Sequence, residues 1–126
     1  MADPLAQVIE LLRPRTVFSK GISGAGRWAV SYSEFGHPGF CAVIEGRCRL
    51  AVSGEMPVIL EEGDFVLLPA TPAFIMSGFE TATPRRIDPR VAQASAVDVR
   101  HGRPDGPPDV RLQGGYFVFD SPDAAL

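Results

Sequence analysis

Apolar and polar positions change their period along this chain. Leu5, Val8, Ile9 and Leu12 recur at i, i+3, i+4 and i+7, the spacing that gathers side chains on one face of a helix. Asp3 precedes the run as an N-cap, Pro4 stands at the first helical position and Pro14 ends it, so a short N-terminal helix is expected. From Val17 to Phe79 the signal changes to short apolar runs, several with a period of two. Trp28, Val30 and Tyr32 share one face and Ala29, Ser31 and Ser33 the other, the alternation of a half-buried strand. Comparable runs are Phe40 to Ile44, Cys48 to Val52, Val58 to Leu60, Phe65 to Leu68 and Phe74 to Met76. Turns are expected between them at Glu45-Gly46, Gly54-Glu55 and Gly63-Asp64, where small and acidic residues favour reversal.

The pattern lapses from Gly78 to Ala96, a segment with Pro and Arg but no periodicity, which reads as a long loop packed on the body. Strand signals return at Val97 to His101, Val110 to Leu112 and Tyr116 to Phe119. The turn GRPDGPP separates the first two, and Gly114-Gly115, a bulge or tight hairpin, separates the last two. Closely spaced strands with tight turns argue for an antiparallel sandwich or barrel. At the end of the chain, Ser121 as an N-cap and Pro122 as the first helical residue mark the beginning of a helix. The chain is therefore expected to be a fragment of a longer polypeptide.

Composition narrows the reading. With 126 residues, 45% hydrophobic and 21% charged, residues 1–126 make one globular domain. No stretch approaches the roughly eighteen consecutive apolar residues of a membrane span, and no secretory signal opens the chain. A cytoplasmic protein without a membrane partner is expected. Twelve Lys and Arg against fifteen Asp and Glu give a net charge of −3, which lacks the basic footprint of a phosphate-backbone binder. Direct nucleic-acid binding by this segment is not expected. Cys41 and Cys48 are too few for a disulfide framework and form no CxxC pair.

Gly63-Asp64-Phe65-Val66-Leu67-Leu68-Pro69, followed by Ala70-Thr71-Pro72-Ala73-Phe74, resembles the second motif of cupins. Val43-Ile44-Glu45-Gly46, with Gly54 beyond it, resembles the end of the first. In order, MADPLAQVIELLRPR, FCAVIEGRCRLAV, GDFVLLPATPAF, VDVRHG and GGYFVFDSPDAAL resemble the N-terminal cupin-type domain of AraC-type bacterial transcription regulators over essentially the whole chain. The resemblance implies an all-β, cupin-like double-stranded β-helix, or jelly-roll barrel, with a short N-terminal helix. It also implies a role in effector sensing or dimerisation, and a C-terminal helix-turn-helix DNA-binding domain beyond residue 126.

Catalytic cupins hold a metal with two His and a Glu from the first motif and a His from the second. Here Phe74 occupies the second-motif His position. Between Ser33 and Gly39 only Glu34 and His37 could coordinate, and they do not form His-x-His. No metal and no cofactor are expected. Cys41 and His101 together offer two ligands, too few for a different metal site. The plainer reading makes Cys41 a small buried hydrophobe, and gives His101 a strand-end or core hydrogen-bonding role. A hairpin at Glu45-Gly46 would set Cys41 and Cys48 on nearby cross-strand positions, which makes a redox switch conceivable but not indicated. No G-x-S-x-G, phosphate loop or catalytic His with a spaced acid is present. Glu61, Glu62 and Asp64 read as a solvated turn. Arg85, Arg86 and Arg90 form a small basic patch that could clamp an anionic effector, meet a DNA-binding domain or remain a solvated loop face.

The expected function is regulatory rather than enzymatic: a domain that binds a small effector, forms a homodimer, or does both, and couples to a DNA-binding domain of the same polypeptide. Strand parity turns Trp28, Val30, Tyr32, Cys41, Val43, Phe74 and Met76 toward one interior, with His101 as the nearest polar group. Trp28, Tyr32, Cys41, Val43, Phe74, Met76 and His101 are the candidate effector-binding residues, and plain core is the alternative reading of the same positions. The N-terminal helix and the 78–96 segment are expected to differ between effector states. Two other functions stay open: a stand-alone metal-dependent cupin isomerase or dioxygenase, and a dimerisation module whose barrel is filled by its own side chains.

Overall fold

The computed structural model describes residues 6–7, 16–93 and 97–118. Of the expected N-terminal helix only residues 6–7 fall among these, and they are helical and exposed. The expected helix at Ser121 lies outside them. The described elements are β1 (Thr16–Ala25), β2 (Ala29–Tyr32), β3 (Gly39–Val52), β4 (Val58–Glu61), β5 (Phe65–Leu68), β6 (Phe74–Ser77), β7 (Arg85–Ile87), a short helix α1 (Pro89–Gln93), β8 (Val99–Gly102) and β9 (Val110–Val118). They form an all-β jelly roll of two sheets that share β3. The first runs β8-β1-β9-β3-β5 and the second β7-β2-β6-β3-β4. All pairings are antiparallel except β1 with β8 and β2 with β7.

The sharing of β3 overturns the turn expected at Glu45-Gly46. One strand runs from Gly39 to Val52, and a bulge lies between Val43, which faces Leu112, and Glu45, which faces Arg111. Ile44 is the extra residue. Gly46 then takes a φ of 77°, and a Cβ there would run into the Asp109 carbonyl of the incoming β9 segment. The residues that looked like a reversal thus serve a bulge, which needs the same left-handed backbone freedom. Because the bulge adds one residue, it also changes parity: Cys41 and Val43 face the core before it, and Cys48, Leu50 and Val52 after it. Cys41 and Cys48 therefore lie on one strand rather than opposite each other in a hairpin.

Gly114-Gly115 likewise interrupts nothing. β9 is continuous from Val110 to Val118, paired with β1 on one side and β3 on the other. β1 passes so close that a Cβ at Gly115 would strike the Phe18 carbonyl. The glycine pair marks close approach of backbones, the other meaning glycine has in a strand.

Within the expected Gly78–Ala96 loop, the described residues 78–93 carry a strand and a helix that their pattern does not suggest. Arg85, Arg86 and Ile87 pair with Val30, Ser31 and Tyr32. Three residues are too few to show alternation. Helix α1 follows, capped by Asp88: its Oδ1 accepts from the Arg90 amide at 2.9 Å, and its carbonyl accepts from Val91 and Ala92. Asp88-Pro89 carries the same N-cap and first-turn proline signal as Asp3-Pro4. Arg85 and Arg86 are successive residues of β7, whose side chains alternate in direction, Arg90 stands on α1, and all three are exposed.

Between the sheets lies a core of Trp28, Val30, Val43, Cys48, Leu50, Leu60, Met76, Val110 and Leu112, each buried. On the other face of the first sheet, Phe40, Phe65 and Phe117 form a smaller aromatic cluster, with Phe117 fully buried. The Gly63-Asp64 turn docks on the bulge: the Val43 amide donates to the Asp64 carbonyl and the Gly63 amide to the Val43 carbonyl, both at 2.9 Å. The Asp64 carboxylate closes its own turn by accepting from the Glu61 amide at 2.7 Å. Turn residues that look like paired acids in sequence therefore fix β5 against β3. The GRPDGPP connection is held from within, since the Arg100 and Arg103 guanidinium groups donate to backbone carbonyls between Arg103 and Pro107.

Candidate functional site

Beyond Leu50 and Met76 the core stops being filled, and a cavity of about 170 Å³ opens between the sheets. The first sheet contributes Phe18, Lys20 and Ile22 from β1, Cys41 from β3, Val66 and Leu68 from β5, and Tyr116 from β9. The second contributes Tyr32 and Phe74, whose rings stack at 4.7 Å. Phe18 stacks on Tyr116 at 4.7 Å, and Phe35 meets the Tyr116 ring edge-on at 5.4 Å. The space exists partly because Gly114, between Leu112 and Tyr116 on the inner face of β9, places no side chain there. Pro89 and Ala92 of α1 cover the cavity, and Lys20 Nζ fastens the helix by donating to the Ala92 carbonyl at 2.7 Å.

The polar groups inside are few and mostly neutral. Burial, with the neighbouring Cys48 as a smaller cause, pushes the Cys41 thiol up to about 12. Burial and then Cys41 push the Tyr32 phenol up to about 12. The Cys48 thiol, raised by burial to about 11, lies in the packed core. Such thiols stay protonated and are poor nucleophiles and poor metal ligands. Thr71, buried and at a φ of 34°, spends its hydroxyl on the His37 carbonyl. Lys20 is the one charged side chain among the described residues that line the cavity.

Of the seven candidate residues, Tyr32, Cys41, Phe74 and Met76 meet at the cavity. The other three do not line it. Trp28 and Val43 belong to the close-packed end of the core, and the Trp28 ring fills the space above Gly24. His101 stacks on Trp28 at 5.9 Å. It is 8% exposed, and its Nε2 has no hydrogen-bond partner among the described residues. Burial, then the charges of Arg85 and Lys20, lower its pKa from 6.5. Strand parity found the interior face but not where along that face the packing gives out. It also missed Phe18, Lys20, Phe35, Thr71 and Tyr116, although Phe18, Lys20 and Ile22 alternate in the sequence, because a lysine in such a run reads as a solvent face.

The site does not have the composition of a metal centre. Phe74 lies against Tyr32, and Glu34 and His37 are exposed. Among the described residues no group of three or more His, Cys, Asp or Glu side chains is placed to hold a metal ion. No helix among them is long and apolar enough to cross a membrane.

Residues 3–126 match a family model described as Cupin. Two curated relatives carry the name AraC-like transcription regulator. One, from Streptomyces lividans, is 38% identical over 120 residues, and the other, from Streptomyces antibioticus, is 36% identical over 118 residues. Each alignment covers 93% of this chain but only 38% of the relative. Among solved structures, a protein of unknown function from Rhizobium leguminosarum bv. viciae 3841 is similar, with a TM-score of 0.44, 13% identity and coverage of 75% of this chain and 62% of that one. A cupin superfamily protein from Desulfitobacterium hafniense DCB-2 is similar at a TM-score of 0.43, with 14% identity and coverage of 94% of this chain and 91% of that one.

Proposed function

The chain belongs to the cupin family, and from that premise we propose that it is the regulatory domain of an AraC-like transcription regulator, a non-enzymatic cytoplasmic sensor that binds a small effector in its barrel. The observation that carries this reading is the pairing of a covered apolar cavity with relatives named as regulators that match across 93% of the chain. Since the chain spans 38% of the length of those relatives, a DNA-binding domain on the same polypeptide is part of the proposal. So is assembly as a homodimer. The net charge of −3 suits a domain that leaves phosphate contacts to a partner.

Coupling needs an element that answers to the cavity, and α1 is placed for it. The helix covers the ligand space through Pro89 and Ala92 and is tied to β1 by Lys20. An effector acts by preferring one arrangement of α1 over another. The test is thermal unfolding with a panel of small metabolites, followed by measurement of DNA affinity in the intact regulator. A ligand at a hundred times its Kd should stabilise the domain by about 2.7 kcal/mol, and the same ligand should change DNA affinity. Dimers with no stabilising compound would turn the reading toward a dimerisation module. Stoichiometric iron, zinc or manganese with turnover of a small metabolite would replace it with the enzyme.

A further inference from the structure

Of the polar side chains that line the cavity among the described residues, three are already engaged. The Lys20 ammonium donates to the Ala92 carbonyl at 2.7 Å, the Thr71 hydroxyl donates to the His37 carbonyl, and the Ser19 hydroxyl accepts from Gln113 Nε2 at 2.9 Å. What remains is the Tyr32 and Tyr116 hydroxyls and the Cys41 thiol, to which the described residues supply no hydrogen-bond partner. Burial, the main cause in each case, raises the Tyr32 phenol and the Cys41 thiol to about 12, so both stay protonated. No carboxylate lines the cavity among the described residues. A cation inside would give up its water with nothing to replace it, and an anion would be met only if Lys20 let go of α1.

The walls add a second constraint. Tyr32 stacks on Phe74 at 4.7 Å in one sheet and Phe18 on Tyr116 at 4.7 Å in the other, so aromatic pairs bound the space from both sheets. Rings gain from stacking on rings beyond the area they bury. On β9 the inner face presents only backbone at Gly114. A space of about 150 Å³ admits a benzene ring, and this cavity is about 170 Å³. Phe18 is 44% exposed, so its stack with Tyr116 reaches from the cavity to solvent and gives an apolar molecule a way in.

We propose that the cavity selects an uncharged aromatic effector, a single substituted ring that packs among Phe18, Tyr32, Phe74 and Tyr116 and makes its hydrogen bonds to the Tyr32 hydroxyl and the Cys41 thiol. The proposal rests on the reading of the cavity as a ligand site and specifies the charge and shape of the ligand. Pockets of this kind hold a ligand through apolar contact and orient it with a few polar groups.

The test is calorimetry on the protein at about pH 7 with four probes: benzamide, benzoate, benzamidine and cyclohexanecarboxamide. The first three share one shape and are neutral, anionic and cationic; the fourth keeps the amide and replaces the aromatic ring. Benzamide should bind about tenfold or more tighter than benzoate or benzamidine, and about threefold or more tighter than cyclohexanecarboxamide. Phe74→Leu should bring benzamide down to the level of cyclohexanecarboxamide. Tyr32→Phe, which keeps the ring on Phe74, should weaken benzamide about threefold or more. Benzoate or benzamidine binding as tightly as benzamide would overturn the uncharged class while leaving the cavity reading standing. Equal affinity for benzamide and cyclohexanecarboxamide would overturn the aromatic part alone. Binding of none of the four at millimolar concentration would overturn both the proposal and the cavity reading.

Discussion

Two side chains show how far burial, with neighbouring groups as smaller causes, sets chemical behaviour. The pKa of His101 is lowered from 6.5, so as the pH falls through 6.5 the unfolded chain takes up the proton before the folded one. Stability attributable to this residue is complete above that value and is lost as the pH falls toward the lower folded-state pKa. Denaturant titrations from about pH 7.5 to about pH 5 should show wild type losing more stability than His101→Phe, whose ring keeps the stacking on Trp28. Parallel profiles would show that His101 does not titrate as its burial requires. For Cys41, a pKa of about 12 leaves roughly one thiolate in ten thousand at pH 8. Iodoacetamide should therefore alkylate the folded protein at least about a hundredfold more slowly than the unfolded chain. Rapid alkylation of Cys41 in the folded state would revive the redox switch. Neither behaviour is legible in sequence, because a His or Cys on an alternating run looks the same whether its neighbours are water or Trp28.

Strands whose larger apolar residues recur with a period of two, such as Val30 and Tyr32 in β2 and Phe74 and Met76 in β6, could be read from the sequence. Strands specified by their backbone partners could not. β1, with Ser19, Lys20, Gly21, Ser23 and Gly24 along it, has little apolar signal and is held by ladders to β9 and β8. β7 is held by its pairing with β2. Gly46 illustrates the same limit, since Glu-Gly signals a left-handed residue without saying whether a turn or a bulge uses it. Gly46→Ala would strain a φ of 77° and force a methyl into the Asp109 carbonyl. A loss of at least about 2 kcal/mol is expected in chemical denaturation, whereas a hairpin tip exposed to solvent would lose less. Retention of full stability would mean that β3 and β9 do not approach as closely as described.

At the scale of the whole molecule, the barrel holds a filled end and an open end, and one missing side chain helps divide them. Gly114→Ala places a Cβ 3.0 Å from Ile22 Cδ1, the free end of a side chain that can give way. Stability should change by no more than about 1 kcal/mol, while any ligand-induced rise in Tm should shrink. An undiminished rise would place the ligand elsewhere. The sequence by itself determined the fold class, most of the strands from β2 to β6, and the inward face carrying Tyr32, Cys41, Phe74 and Met76. These follow from residue chemistry and local period, which each segment carries with it. Only the tertiary structure decided that β3 crosses between sheets and that packing ends at Leu50 and Met76. Those features depend on which distant backbones approach each other, and a cavity is a property of the space between elements rather than of any one of them.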